Sequence, residues 1–186
     1  RMLINADHSL LLLIDLQERL APAIQDIDTV LRHNLWLVAV AQRLAVPVGA
    51  TVQYPSGLGP MVPELGACIA PDRIVEKIHF SAVADGCLER LPDFSRRQIV
   101  LTGTESHVCV LQTALGLRAL GKEVFVVADA VGSRRATNKD LALARLRHAL
   151  AHGDARCDVC PSAVRPAFRS DQRSGAPRGR AAACGS

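Results

Sequence analysis

The chain has 186 residues, 49% hydrophobic and only 3% aromatic, which suits one domain with a Leu, Val, Ile and Ala core and excludes the aromatic and basic interleaving that stacks bases. Formal charge is +4, but residues 1–150 hold 16 Lys and Arg against 15 Asp and Glu, while 151–186 hold six Arg against three Asp, so no nucleic-acid partner is expected. No apolar run approaches the roughly 20 residues that span a bilayer, and RMLINADHSLLLLIDLQ has no signal-peptide cleavage pattern, so no membrane partner is expected and a cytoplasmic location is. Six cysteines, Cys68, Cys87, Cys109, Cys157, Cys160 and Cys184, form no regular framework, and reduced thiols are the expectation.

In chain order, SLLLLIDLQ (9–17) is a continuous apolar run ending in polar residues, the pattern of a strand buried on both faces of a parallel sheet. Asp15 and Gln17 fall at its C-terminal end, and a spacing of two predicts that they share a strand face. Apolar residues recur at helical spacing from Asp28 to Leu44, and Pro47 opens a second strand, PVGATVQY. The Pro and Gly pattern of 55–66 predicts a surface loop. RIVEKIHF (73–80) predicts a third strand, VADGCLERLP a brief helix, RRQIVLTG a fourth strand, and EVFVVADAV a fifth. Between the last two lies LTGTESHVCVLQTALGLRALG, whose second half is helical in pattern. Residues 137–150 predict a final helix, with Thr137 as N-cap and Asp140 in the capping-box position.

Alternating strands and helices predict an α/β fold: a three-layer αβα architecture around an open, mostly parallel sheet, with right-handed crossovers. Residues 1–150 form the expected domain. Residues 151–186, rich in Arg, Ala and Gly, show no periodicity and are expected to be disordered or irregular. CDVC at 157–160 has the spacing of a redox or zinc pair but no partner pair at ligand spacing, so a thiol redox role for Cys157 and Cys160 is a minor reading.

In such a sheet ligands bind outside the carboxyl ends of the strands. Asp15, Lys77 and Cys109 come from three such ends and are expected on one rim. A helix beginning near His107 would put the Cys109 sulfur in its first turn, where free N–H groups favour a thiolate, and Lys77 would lower the thiol pKa further. Asp15 could take the thiol proton and later activate water, held ionised by Lys77. Taken singly, each has a plainer reading: a core cysteine, a capping aspartate, a solvated lysine.

The motifs LLLIDLQERL, EKIHFSA and GTESHVCVLQTALGLRALGKEVFVVADAVGSR, in that order over about residues 8–150, resemble the isochorismatase-like cysteine hydrolases. QYPSGLGPMVPELG is similar to a loop of the isochorismatase-domain-containing subgroup. The resemblance implies a catalytic triad of Asp15 as base, Lys77 as charge partner and Cys109 as nucleophile, acting on an amide or related carbonyl through a thioester. It also implies a non-proline cis peptide at Thr104–Glu105, which with the Cys109 N–H helps to form an oxyanion hole. Gln17, Gln53, Tyr54, His79 and Phe80 flank the triad and are candidate substrate-binding residues. For His79 and His107 a structural role is the favoured reading.

Nicotinamidases of this superfamily bind a metal through Asp and His after the second strand, and TVQYPSGLGP has neither. No metal, no cofactor and no nicotinamidase activity are therefore expected. True isochorismatases lack the cysteine, so vinyl-ether hydrolysis is not the expected reaction either. The expected partners are a small-molecule substrate and further copies of the chain, as a dimer or larger homo-oligomer. A catalytically silent binding or scaffold protein that keeps the fold is the alternative. The resemblance further implies a last strand after residue 150; the Arg-rich stretch there does not spell one, which predicts a bare sheet edge.

Overall fold

A computed structural model describes residues 3–151 and 157–160. The apolar run near the start forms β1 (Ser9–Ile14), buried along its whole length. It is followed by α1 (Ile27–Arg43), β2 (Val48–Gln53), β3 (Ile74–Lys77) and β4 (Gln98–Thr104). A wide helical turn, Ser106–Val110, runs directly into α2 (Leu111–Ala119). Then come β5 (Glu123–Gly132), α3 (Ala136–Ala151) and β6 (Cys157–Cys160). The sheet order is β3-β2-β1-β4-β5-β6, and every pairing is parallel.

Alternation along the strands divides the core in two. Leu11, Leu13, Ala50, Val52 and Val100 pack with Val30, Val38 and Ala41 of α1 on one face. Leu10, Leu12, Ile14, Ile99 and Leu101 pack with Ala114 and Leu117 of α2 and Leu146 of α3 on the other. This is the three-layer αβα arrangement, and it explains why β1 and β4, the two central strands, are buried without a break.

Several local expectations change. The bare edge is corrected: β6 lies on β5, with Val124 opposite Cys157 and Val127 opposite Cys160. Backbone pairing needs no apolar run, so four residues without hydrophobic periodicity can complete an edge. The irregular tail otherwise falls outside the described residues, as do the side chains of Cys157 and Cys160. Thr137 is not the N-cap of α3, which starts at Ala136; the Ala136 N–H donates instead to Gln25 Oε1 at 2.8 Å. The loop at 55–66 contains two single helical turns, Pro55–Leu58 and Pro63–Gly66. The expected helix at 83–92 is split by Gly86, at φ 76°, into the turns Ala82–Asp85 and Cys87–Arg90. Cys87 and Cys109 are free thiols, whereas Cys68 is disulfide-bonded, against the expectation that all thiols are reduced.

One glycine is dictated by the packing of the sheet. Gly103, near the end of β4, has φ 107°, and a Cβ there would lie 2.0 Å from the Ile14 carbonyl oxygen. Only glycine both adopts that conformation and admits the neighbouring backbone. Just before it the β4–β5 register shifts, between Leu101 and Gly103, which brings Gly132 opposite Thr104.

Candidate active site

The polar cluster forms where β1, β2, β3 and β4 end. Alternation from Leu11 and Leu13 would send the next odd residue, Asp15, to the α1 face. Strand β1 stops at Ile14 instead, and Asp15 takes a left-handed conformation, φ 49°. Its carboxylate thereby meets side chains of the opposite face. Thr51 is one of these, being in register with Ile14, and Lys77 is another, being in phase with Val75.

Lys77 Nζ lies 2.7 Å from Asp15 Oδ2, with both side chains fully buried. Thr51 Oγ1 donates to Asp15 Oδ1 at 2.7 Å. The ammonium also donates to Gln53 Oε1 at 2.5 Å and to the His79 carbonyl at 3.2 Å. A buried ion pair of this kind persists only when its remaining donors and acceptors are satisfied, and here they are supplied by β2 and by the turn after β3.

Cys109 sits in the Ser106–Val110 turn, 7% exposed. The Glu105 carbonyl accepts from the N–H groups of Val108 and Val110, which flank it. The Thr104–Glu105 peptide is cis. Thr104 Oγ1 donates to the Asp15 carbonyl at 2.8 Å, and Ser106 Oγ to the Gly132 carbonyl at 2.9 Å, so the turn is tied to β1 and β5 on either side of β4. Burial pushes the Cys109 thiol up to about 12; the Asp15 charge and a hydrogen bond to Asp15 act in the same direction, against Lys77 and the Glu105 N–H. The expected pre-formed thiolate is thus corrected. Asp15 acts on the thiol more strongly than Lys77 and, with burial, holds the proton on sulfur.

The other candidates separate into two groups. Gln17 does not share a strand face with Asp15, because β1 has already ended; it forms an isolated bridge with Met61. Its amide is consumed by backbone: Nε2 donates to the carbonyls of Gln53 at 2.9 Å and Gly59 at 2.7 Å, and Oε1 accepts from Gln53 N at 2.7 Å. Gln53 likewise uses both ends, accepting from Lys77 and donating to the Ile78 carbonyl. Both amides are thus oriented by bonds within the protein. Tyr54 and Phe80, in contrast, are more than half exposed. The third strand ends at Lys77, not at 80, so His79 lies in an exposed turn with Nδ1 3.1 Å from Asp85 Oδ2. Glu105 pairs with Arg134, Oε1 to Nε at 3.1 Å. His107 bonds Ser133 Oγ through Nδ1 at 3.0 Å, a structural tie.

Two contributors were not singled out from sequence. Thr51 is a mid-strand threonine, and only its register with Ile14 brings it to Asp15. Asp85 accepts from the N–H groups of Ile78 and His79 at 2.8 and 3.0 Å, shaping the turn that presents the His79 carbonyl to Lys77. Burial would raise its carboxyl, but those two N–H groups and the His79 ring outweigh it and hold the pKa below the ordinary 3.8. An acidic residue eight positions after a strand end carries no spacing signal of its own. Among the described residues no three His, Cys, Asp or Glu side chains group to hold a metal ion, and no helix is long and apolar enough to cross a membrane.

Residues 9–153 match the Isochorismatase domain. The chain is 42% identical over 142 residues to isochorismatase domain-containing protein 2A of Mus musculus, covering 76% of this chain and 68% of that one. It is 33% identical to a solved structure titled MAR1 ribonuclease from Caenorhabditis elegans, with TM-score 0.73 over 87% of this chain and 80% of the other. The Escherichia coli YcaC gene product, titled an octameric hydrolase of unknown specificity, shares the fold: TM-score 0.75 at 24% identity, over 86% and 78% of the two chains.

Proposed function

The chain belongs to the isochorismatase family, within the isochorismatase domain-containing subgroup, and from that premise we propose that it is a cofactor-free cysteine hydrolase of a small amide or related carbonyl compound. The observation that carries this reading is the buried Asp15–Lys77 ion pair at 2.7 Å, set so near the buried Cys109 thiol that both charges act on its proton.

A protonated nucleophile beside an ionised carboxylate is a general-base arrangement. As Cys109 Sγ bonds to the substrate carbonyl carbon, its proton passes to Asp15, and the oxyanion is met by the main-chain N–H groups of Cys109 and the Thr104–Glu105 segment. Collapse breaks the carbon–nitrogen bond, and the amine leaves with the proton that Asp15 holds. Asp15 then takes a proton from water, whose oxygen attacks the thioester; release of the acid returns that proton to sulfur. Lys77, with its donors directed at Asp15, Gln53 and the His79 carbonyl, keeps the carboxylate in place through both halves. The same commitment argues against carrying over the ribonuclease title of the worm relative, since this cation is not free to meet a phosphodiester. A homo-oligomer is part of the proposal, supported by the exposed apolar Tyr54, Ile78 and Phe80 next to the ends of β2 and β3.

A catalytically silent binding protein is the second reading, favoured by the same thiol being both buried and held protonated. p-Nitrophenyl acetate separates the two. A hydrolase gives a stoichiometric burst of nitrophenolate that disappears in Cys109→Ala, followed by turnover of members of a small-amide panel; a native chain no faster than Cys109→Ala on every compound establishes the silent protein.

A further inference from the structure

We propose that β2, which carries no reacting group, sets the geometry of the reacting ones: Thr51 and Gln53 are positioning residues for acyl transfer to Cys109. The inference rests on the hydrolase reading and adds to it the part of the sheet that aims the base.

Sheet order puts β2 between the strands that carry Asp15 and Lys77. Neighbouring strands lie about 4.8 Å apart, so an ion pair from β1 to β3 has to bridge roughly twice that distance across β2. Thr51 and Gln53, two residues apart, present their side chains to the face over which the pair closes. Each takes one partner. Thr51 Oγ1 donates to Asp15 Oδ1 at 2.7 Å, leaving Oδ2 for the ammonium at 2.7 Å. Gln53 Oε1 accepts from Lys77 Nζ at 2.5 Å.

The result is a carboxylate that cannot rotate and an ammonium that cannot swing. Asp15 is pinned through both oxygens, and the three N–H groups of Lys77 go to Asp15, Gln53 and the His79 carbonyl. The Gln53 amide is itself oriented, since Nε2 donates to the Ile78 carbonyl while its main chain is bonded on both sides by Gln17. Gln17 extends the same framework to Gly59 at 2.7 Å, so the 55–66 loop is fastened to the strand end that holds the lysine. Mere space-filling is a poor account of this arrangement: valine has nearly the shape of threonine, and no hydroxyl would then be needed at a position with zero exposure.

The test uses the full chain with p-nitrophenyl acetate as acyl donor. Thr51→Val and Gln53→Ala should slow the burst by about 10- to 100-fold, the cost of a base displaced by a fraction of an ångström to one ångström, with the concentration for half-maximal burst rate within two-fold of the native chain. Thr51→Ser, which restores the hydroxyl, should recover most of the rate. Independently of catalysis, the three-fold bonded Lys77 ammonium should give a slowly exchanging proton–nitrogen NMR signal, absent from Lys77→Met and lost or strongly broadened in Gln53→Ala. Burst rates within two-fold of native in both clamp variants, or a Thr51→Ser rate no better than Thr51→Val, overturn the proposal even if Tm falls, because a role in stability alone lowers Tm without separating these rates. If the native chain gives no Cys109-dependent burst, the hydrolase reading and the acyl-transfer role fail together. The Gln53→Ala spectrum then still reports whether β2 fixes the ion pair.

Discussion

At the N-terminal end of the strands, Gln98 is buried between Ser9 and Glu123. Its Oε1 accepts from Asn5 N at 2.7 Å and Ser9 Oγ at 2.9 Å, and its Nε2 donates to Glu123 Oε2 at 2.9 Å. Arg97 pairs with the other Glu123 oxygen. At the C-terminal end, Asp15, Lys77, Thr51 and Gln53 make a network of similar size and burial. Burial of polar groups therefore does not mark the site. The difference lies in the backbone and in what remains uncommitted. The lower network hangs on strands in regular register, with an exposed arginine as its cation. The upper one depends on left-handed residues at strand ends, Asp15, Tyr54 and Gly103, and encloses a buried thiol whose proton the Asp15 charge helps to hold. Strained backbone beside a buried thiol is the combination that the proposed hydrolase would need.

The comparison can be broken in a graded way. The largest effect is expected of Gly103→Ala, whose Cβ would meet the Ile14 carbonyl at 2.0 Å with φ 107°. The loss should exceed about 4 kcal/mol and show as failure to recover folded protein. A soluble variant with near-native Tm would contradict the close approach of β4 to β1. Lys77→Met comes next. It leaves Asp15 as an uncompensated charge with no exposure, so urea unfolding should report a loss of about 3–5 kcal/mol. Adding Asp15→Asn should recover part of it, and strict additivity of the two would deny the pairing. At the lower network Gln98→Leu should cost about 1–3 kcal/mol, yet leave the p-nitrophenyl acetate burst unchanged. A burst that falls with Gln98→Leu as it does with Lys77→Met would erase the distinction between the two ends.

The smallest expected effect is a pH dependence at Asp85. Its folded pKa is held below the ordinary 3.8, so its stabilising contribution is complete above the unfolded value and is lost as pH falls through the folded one. The Tm advantage of the native chain over Asp85→Asn should therefore be constant near neutrality and shrink below about pH 4. An advantage that persists unchanged to acid pH would show that the carboxylate charge is not what holds the Ile78–His79 turn.

Much of the fold was legible because apolar continuity and helical spacing are properties of neighbouring residues. The runs at 9–17, 96–103 and 123–131 read as strands and overlap β1, β4 and β5, and α1, read as 28–44, was bounded to within a residue. Asp15, Lys77 and Cys109 were legible as candidates because each follows or ends such an element. Register was not legible. Thr51 reads as one more β-branched strand residue until β2 is laid beside β1, and Gln17 and Gln53 read as available polar groups until each is seen bonded by the other. β6 was invisible because its pairing is made by backbone, which leaves no hydrophobic trace.

The sequence by itself determined the layers, the family and the three groups that meet at the rim, since these follow from local pattern and from motifs in a fixed order. Only the tertiary structure decided how those groups stand to one another. The left-handed turn at Asp15 moves its carboxylate to the opposite face, where it pairs with Lys77 and holds the Cys109 proton. The sign of a pKa shift depends on distance and desolvation, and neither is encoded in spacing along the chain.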